Sequence, residues 1–393
     1  MQHRIAVLGA GYAGAWAAGF LARHLRPEDV SITLVNAEPD FVERLRLHQV
    51  AAGQDLKPRP LADMFAGTGV RVRLARVTGV DADRRTVALD DGDALEYDTL
   101  LYALGSTAAD HGVPGVAEHA HHVAARPAAL RLRRRLDDLG GSGRVLVVGG
   151  NLTAIEAATE IAESRPGLQV SLATTGELGG WFAERPRRHL LRAFDRFGIA
   201  VHERTEITEV TADGAVAADG RAFAADAVVW AAGFAVHPIA AASGLDVQEH
   251  GRILVDRQMR SVSHSGVYAA GDAVFTIAES GEPLPMSCAS AGFTAMQATA
   301  AIIGDLTGGP VGRTALAYYG NHLSLGRRDA IFQPVNGRAQ ATGWHFRGRT
   351  AAFLKESVLR TAAYGMAHPT FGKPVRRRAL AAVPTARREA AVA

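Results

Sequence analysis

Three glycines near the start of the chain have the spacing of a phosphate cradle. In Ile5-Ala6-Val7-Leu8-Gly9-Ala10-Gly11-Tyr12-Ala13-Gly14 they form a G-x-G-x-x-G pattern. Gly9 allows a tight turn, Gly11 lets bare backbone approach a pyrophosphate, and Gly14 lets the following helix pack closely on the strand. The helix N-terminus adds amide donors and the positive end of a dipole. A second turn, 140 residues further on, reads Val145-Leu146-Val147-Val148-Gly149-Gly150-Asn151-Leu152-Thr153-Ala154. Asn151 stands where the second glycine belongs and Ala154 where the third belongs. The first turn is therefore expected to bind a dinucleotide firmly. The second is expected to bind more weakly, with the Asn151 side chain occupying space that a glycine leaves for phosphate.

Other chemistry-bearing residues are sparse. Cys288 is the single cysteine, which excludes a disulfide framework, a C-x-x-C redox pair and a cysteine metal cluster. His121-His122 has no third ligand at metal spacing, so no metal site is expected. Trp181 and Phe182 read as loop anchors.

Both glycine turns need a strand before them and a helix after them. Ile5–Leu8 is a short apolar strand, and helix formers follow to about Leu25. The uncharged run from Ile5 to Ala22 is too interrupted by glycine for a leader or a membrane span, and a second strand, Val30–Val35, follows at βαβ distance. Short strands are expected at 70–75, 77–81, 86–89 and 94–97, as a small antiparallel excursion, before a buried return strand in Tyr97–Ser106. From Arg144 the pattern repeats: strand, turn, helix Leu152–Ser164, strand Gln169–Ala173, helix Arg187–Phe197 and the return strand Asp226–Gly233. One nucleotide fold is thus inserted into another. A further strand ends in Ala269-Ala270-Gly271-Asp272, and an alanine-rich helix covers about 286–304.

The composition fits a multidomain enzyme: 393 residues, 48% hydrophobic, formal net charge +3. Basic residues cluster only at 131–135 and 376–378, so nucleic acid is not an expected partner. The cysteine usage fits a reducing cytoplasm.

These motifs together resemble the FAD/NAD(P) flavoproteins with two dinucleotide-binding domains. Ile32–Asn36, Phe41–Gly53 and Ser324-Leu325-Gly326-Arg327 are most similar to the type II NADH:quinone oxidoreductase branch. The resemblance spans about residues 4–368. It implies an α/β fold of two Rossmann-like domains, the second inserted into the first, plus a small C-terminal α+β region. The FAD-binding domain is expected at 1–109 and 240–310, the NAD(P)-binding-like domain at 110–239 and the C-terminal region at 311–368. A disordered tail is expected at 369–393.

The resemblance also assigns residues. Gly9, Gly11 and Gly14, with Tyr12 and Ala13, would hold the FAD pyrophosphate. Val77 would meet the adenine through its backbone, and Asp272 after Gly271 would take the ribityl chain. Ala103, Gly105 and Arg44 would border the flavin, and the helix start at Ser287 and Cys288 would present amides to its pyrimidine edge. Cys288 is otherwise a buried, inert thiol. Asn36, beside Ala37, stands where the family has an acid for the adenosine ribose, and an amide accepts there without charge assistance. At the second site Gly149, Asn151, Leu152 and Gly233 would border NAD(P)H, and Glu156 would orient the nicotinamide carboxamide. The strand tip Thr174-Thr175-Gly176-Glu177 has neither an acid at its end nor an adjacent arginine, and NADH is slightly preferred over NADPH.

On the acceptor side the family's two glutamines are replaced in Met286–Ala291, and Lys355–Tyr364 shows no aromatic-plus-basic face, so membrane association is not favoured. Pairing of two copies through C-terminal segments is the family habit. The leading reading is transfer of hydride from NAD(P)H through tightly held FAD to a quinone-like or other small organic acceptor. An FAD dehydrogenase or oxidase that does not use nicotinamide, and a non-catalytic FAD-bound sensor, remain alternatives.

Overall fold

The computed structural model describes residues 2–336, 340–372 and 375–382. His3–Leu8 (β1) leads through the first glycine turn into helix Tyr12–His24 (α1) and returns as Val30–Asn36 (β2). Helix Leu47–Ala51 (α2), strand Val70–Leu74 (β3) and strand Thr99–Tyr102 (β4) follow, with an antiparallel three-stranded excursion, 77–96, between the last two. The β-branched and leucine side chains of β1, β2 and β4 are buried on both faces, as a parallel sheet between helix layers requires.

The second sheet repeats the plan. Ala120–His121 (β5) and helix Arg126–Asp138 (α3) precede strand Gly143–Val148 (β6), helix Leu152–Ser164 (α4) and strand Leu168–Ala173 (β7). Helix Glu184–Phe197 (α5), strand Ala200–His202 (β8) and strand Ala227–Trp230 (β9) complete it, in the order β8-β7-β6-β9-β5, all parallel. The chain then returns to the first sheet with Val267–Ala269 (β10), giving β10-β4-β1-β2-β3, again all parallel. Helix Cys288–Thr307 (α6) packs along α1. The two halves are joined where Ser106–Ala108 pairs antiparallel with Phe234–Val236.

The mixed segment after residue 312 forms strands Gly320–Ser324 (β11), Ala330–Pro334 (β12) and Phe346–Arg347 (β13), then a 20-residue helix, Gly348–Ala367 (α7). Beyond it the structure differs from the expected tail. Residues 375–382 run beside the end of α1: Arg378 N donates to His24 O (2.8 Å), Arg26 N donates to Arg378 O (3.1 Å), and Ala381 N donates to Leu306 O (2.9 Å). Backbone donors and acceptors drive this pairing, which an Ala/Arg/Pro composition does not announce. Residues 373–374 and 383–393 of the expected tail lie outside the described residues.

Candidate active site

The first turn has the shape its glycines demand. Gly9 adopts φ +91°, and a Cβ there would lie 2.5 Å from Ala103 O; one at Gly14 would lie 1.9 Å from Gly9 O. A Cβ at Gly11 would meet nothing within 4 Å. Gly9 and Gly14 are therefore glycine for protein packing, whereas Gly11 faces the space a pyrophosphate would use. No side chain caps α1, which leaves its first amides to a ligand. The residues present fit an FAD diphosphate.

Asn36 serves this turn itself. Its Oδ1 accepts from Ala10 N (2.8 Å) and its Nδ2 donates to Glu38 O (2.7 Å). These bonds give it a positioning task within the turn, because a short amide at a strand end reaches neighbouring backbone first. Exposed Ala37 follows it. Val77 opens the antiparallel excursion, just past Ala75, whose N–H donates to Asn36 O (2.9 Å).

At the other end of the cradle, Gly271 (φ +78°) has its N–H bonded to Thr294 Oγ1 of α6, and a Cβ there would lie 3.3 Å from that of Ala13. Asp272 follows. Its Oδ2 accepts from Ser106 Oγ (2.6 Å), while Arg44 donates to Ser106 O (2.7 Å) and Ser106 Oγ (3.0 Å) and stands 3.9 Å from Asp272 Oδ2. The Arg44 guanidinium also lies over Phe234 at 4.9 Å. Ser106, adjacent to Gly105 (φ +70°), thus joins Arg44 to Asp272, a role its position as an ordinary strand-end serine did not signal. Ser287 caps α6 by accepting from Ser290 N (3.1 Å). Burial, then the nearby Asp272 charge, pushes the Cys288 thiol up to about 12, which keeps it protonated and unreactive.

In the second turn Gly149 (φ +135°) again fits only as glycine, since a Cβ would lie 2.4 Å from Ala231 O. Asn151 Oδ1 accepts from Ala154 N (3.0 Å) and its Nδ2 donates to Ala231 O (2.8 Å), so the side chain is folded back as the N-cap of α4, with Leu152 as the first helical residue. An asparagine oxygen satisfies an orphan helix amide, and that bond sets its direction, so that α4, unlike α1, has one of its first amides already taken. Gly233 lies opposite; a Cβ on it would come 3.2 Å from His111 Nε2.

Glu156, one turn into α4, is buried, with its side chain 11% exposed. Its Oε1 accepts from Ser324 N of β11 (2.9 Å) and from Lys355 Nζ of α7; Oε2 stands 3.9 Å from His48 Nδ1 of α2. Burial alone would raise the Glu156 carboxyl, but the Lys355 ammonium, then His48 and the hydrogen bonds, hold it below its ordinary value. Burial pushes His48 down, and burial with the Lys355 charge pushes His322 down to about 4. Four residues along, Glu160 Oε1 accepts from Gln54 Nε2 (2.6 Å) and Arg327 Nε (2.9 Å). In the sequence His48 belongs to the stretch that borders the flavin in the family, without a spacing that demands a role, and no local signal points to Lys355, which lies 199 residues from its partner.

One segment connects the two groups: Arg44 touches Ser106 beside Asp272, and His48, one turn on, faces Glu156. Among the described residues no three His, Cys, Asp or Glu side chains gather to hold a metal, and no helix is long and apolar enough to cross a membrane. Exposed aromatics do flank the 355–364 window. Phe353 (71% exposed), Val358 and Tyr364 of α7 stand out with Trp344, Phe346 and Phe371. Most of these aromatics lie outside that window, which is why the window failed to show them.

Two parallel sheets, each with a glycine turn at its centre, give the chain the layout of a protein with two dinucleotide-binding folds. Residues 3–301 match the pyridine nucleotide-disulphide oxidoreductase family, and the chain belongs to it. It is 28% identical to an NADH dehydrogenase-like protein of Mycobacterium tuberculosis, over 90% of this chain and 92% of that one. It is 23% identical to the type II NADH:quinone oxidoreductase of Staphylococcus saprophyticus, over 91% and 94%. The sulfide:quinone oxidoreductase of Aquifex aeolicus superposes with a TM-score of 0.80 at 17% identity, covering 98% of each chain, and so shares the fold. The protein is an FAD-dependent oxidoreductase.

Proposed function

We propose that the protein passes reducing equivalents from NAD(P)H, through FAD, to a quinone-like small organic acceptor. The observation that carries this reading is the repeat of the fold: a second parallel sheet with its own glycine turn at Gly149, leading into a helix. The names of the relatives support a quinone as acceptor.

The first turn, with Tyr12, Ala13, Ala103 and Gly105, would hold FAD, Asp272 would receive its ribityl hydroxyls, and the backbone at Val77 would meet its adenine. Bound FAD supplies the two-electron carrier. Gly149, Leu152 and Gly233 would border the nicotinamide nucleotide. Glu156 Oε2, the oxygen not taken by Ser324 or Lys355, would accept from its carboxamide and fix its orientation. The donor gives up two electrons and one proton, the acceptor takes two electrons and two protons, and the second proton comes from solvent. His48 and Lys355 hold exchangeable protons beside Glu156.

The test is anaerobic. NADH and NADPH are added to the yellow protein, its flavin absorbance is followed, and a soluble quinone such as menadione is then supplied. Bleaching by a nucleotide and recovery with quinone are expected. A flavin that neither nucleotide bleaches would refute the reading. Glu156→Ala is expected to slow bleaching by about tenfold or more while the protein stays yellow; an unchanged rate would remove Glu156 from the site.

A further inference from the structure

The second sheet brings to its nucleotide edge a cation that lies far away in sequence. In the first half Gly9 N donates to Val35 O, and in the second Gly149 N donates to Ala173 O, both at 2.8 Å. Thr174, the first residue past β7, is therefore the counterpart of Asn36 at the end of β2. In dinucleotide folds this tip faces the adenosine ribose: an acid there accepts from a 2′-hydroxyl, whereas an arginine nearby accommodates a 2′-phosphate.

Here the tip has no acid. Thr174 is buried with its Oγ1 against the glycine turn, 2.2 Å from where a Cβ on Gly150 would lie, and Thr175 is exposed. The turn after β8 is laced to the tip by backbone bonds: Thr174 N to His202 O (3.0 Å), Thr205 N to Thr174 O (2.9 Å) and Arg204 N to Gly176 O (3.3 Å). These bonds set Arg204 beside the tip, 28 residues after Gly176. Its backbone is left-handed (φ +51°), and its side chain is 78% exposed. The guanidinium has Glu177 Oε1 as its carboxylate partner (3.2 Å). Glu177 is also paired through Oε2 with Arg187 (3.2 Å), so it keeps a cation when Arg204 turns to a ligand.

Resting on the reading that a nicotinamide nucleotide occupies the second turn, we propose that this site accepts NADPH, with Arg204 receiving the 2′-phosphate and the Thr175 hydroxyl as a second donor. Guanidinium and phosphate match in charge and in bidentate geometry, and Arg204 is accessible enough to reorient without breaking a core contact.

The experiment uses the full-length yellow protein. NADPH and NADH are compared at matched concentrations as anaerobic reductants of the bound flavin, and binding of 2′,5′-ADP and of 5′-AMP is measured by calorimetry. The expected results are reduction by NADPH and tighter binding of 2′,5′-ADP than of 5′-AMP by about tenfold. Arg204→Asn, which tolerates the left-handed backbone, removes that difference and lowers kcat/KM for NADPH by about tenfold, with NADH changed less than about twofold. Thr175→Glu, an exposed change, lowers NADPH use in the same selective way. Reduction by NADH alone overturns the inference and leaves the donor reading standing, and reduction by neither nucleotide sinks both. Equal losses for both nucleotides in Arg204→Asn, or equal affinity for the two adenosine phosphates, also overturn it.

Discussion

The helices that follow the two glycine turns occupy the same place in their sheets and are fastened by opposite means. Between Tyr12 and Ala22 helix α1 carries no charge, and its alanine face packs on α6. Helix α4 carries Glu156, Glu160 and Glu163, and the C-terminal segment answers each: Lys355 to the first, Arg327 Nε to the second, Arg327 N to the third (2.6 Å). One turn is supported by shape and the other by charge. Shape support tolerates few substitutions but is indifferent to pH, whereas charge support makes the second turn depend on a distant helix and on protonation.

The sharpest break in this comparison is at Gly11. Because a side chain there meets no protein atom, Gly11→Val is expected to fold normally yet emerge colourless, with FAD absent by absorbance and melting otherwise cooperative; a yellow protein would mean that the cradle lies elsewhere. Next in size is Lys355→Met, which leaves a buried carboxylate without its cation and should cost about 3–5 kcal/mol in denaturant unfolding. Replacing Glu156 as well, with leucine, should restore most of that stability. If the double variant is as weak as the single one, the pair is not what fastens α4.

Acid probes the same joint without mutation. His322 is held neutral in the fold, so the unfolded chain binds its proton first, and stability falls as pH drops from 6.5 toward about 4. Glu156 acts in the same sense at lower pH, its contribution vanishing as pH falls through its depressed folded value. A melting temperature that is flat or rising from about pH 7 to pH 5 would contradict this. The smallest effect is at Asn151. Loss of the cap in Asn151→Ala should cost about 1 kcal/mol, and Asn151→Gly only a few tenths, with KM for the nucleotide within about twofold in both. A large fall in KM for Asn151→Gly would show that the side chain obstructs after all.

Much of the fold was legible because its signals are local. A β-branched run, glycines at fixed offsets and an alanine-rich stretch lie within 20 residues of each other, and helix α4 was read at its observed bounds. What escaped was set by contacts across the chain. The sequence names Asn151 but not its rotamer, which depends on Ala231 O, just past the end of β9. Ser106 becomes part of the Asp272 group only when β4 and β10 lie side by side, and Arg204 reaches the β7 tip only through β8 pairing. Lys355 sits on a helix whose apolar spacing was blurred by exposed aromatics, since that helix is held by polar as well as apolar contacts.

The strand-like stretch 375–382 alongside the end of α1 has a practical consequence. Arg23 donates to Phe371 O (2.8 Å), and a Cβ at Gly19 would strike Pro369, so the first helix is braced along its outer length by the rear of the chain. Trimming the protein back past residue 368 would loosen the phosphate cradle from behind, costing affinity for FAD without removing any atom that faces it.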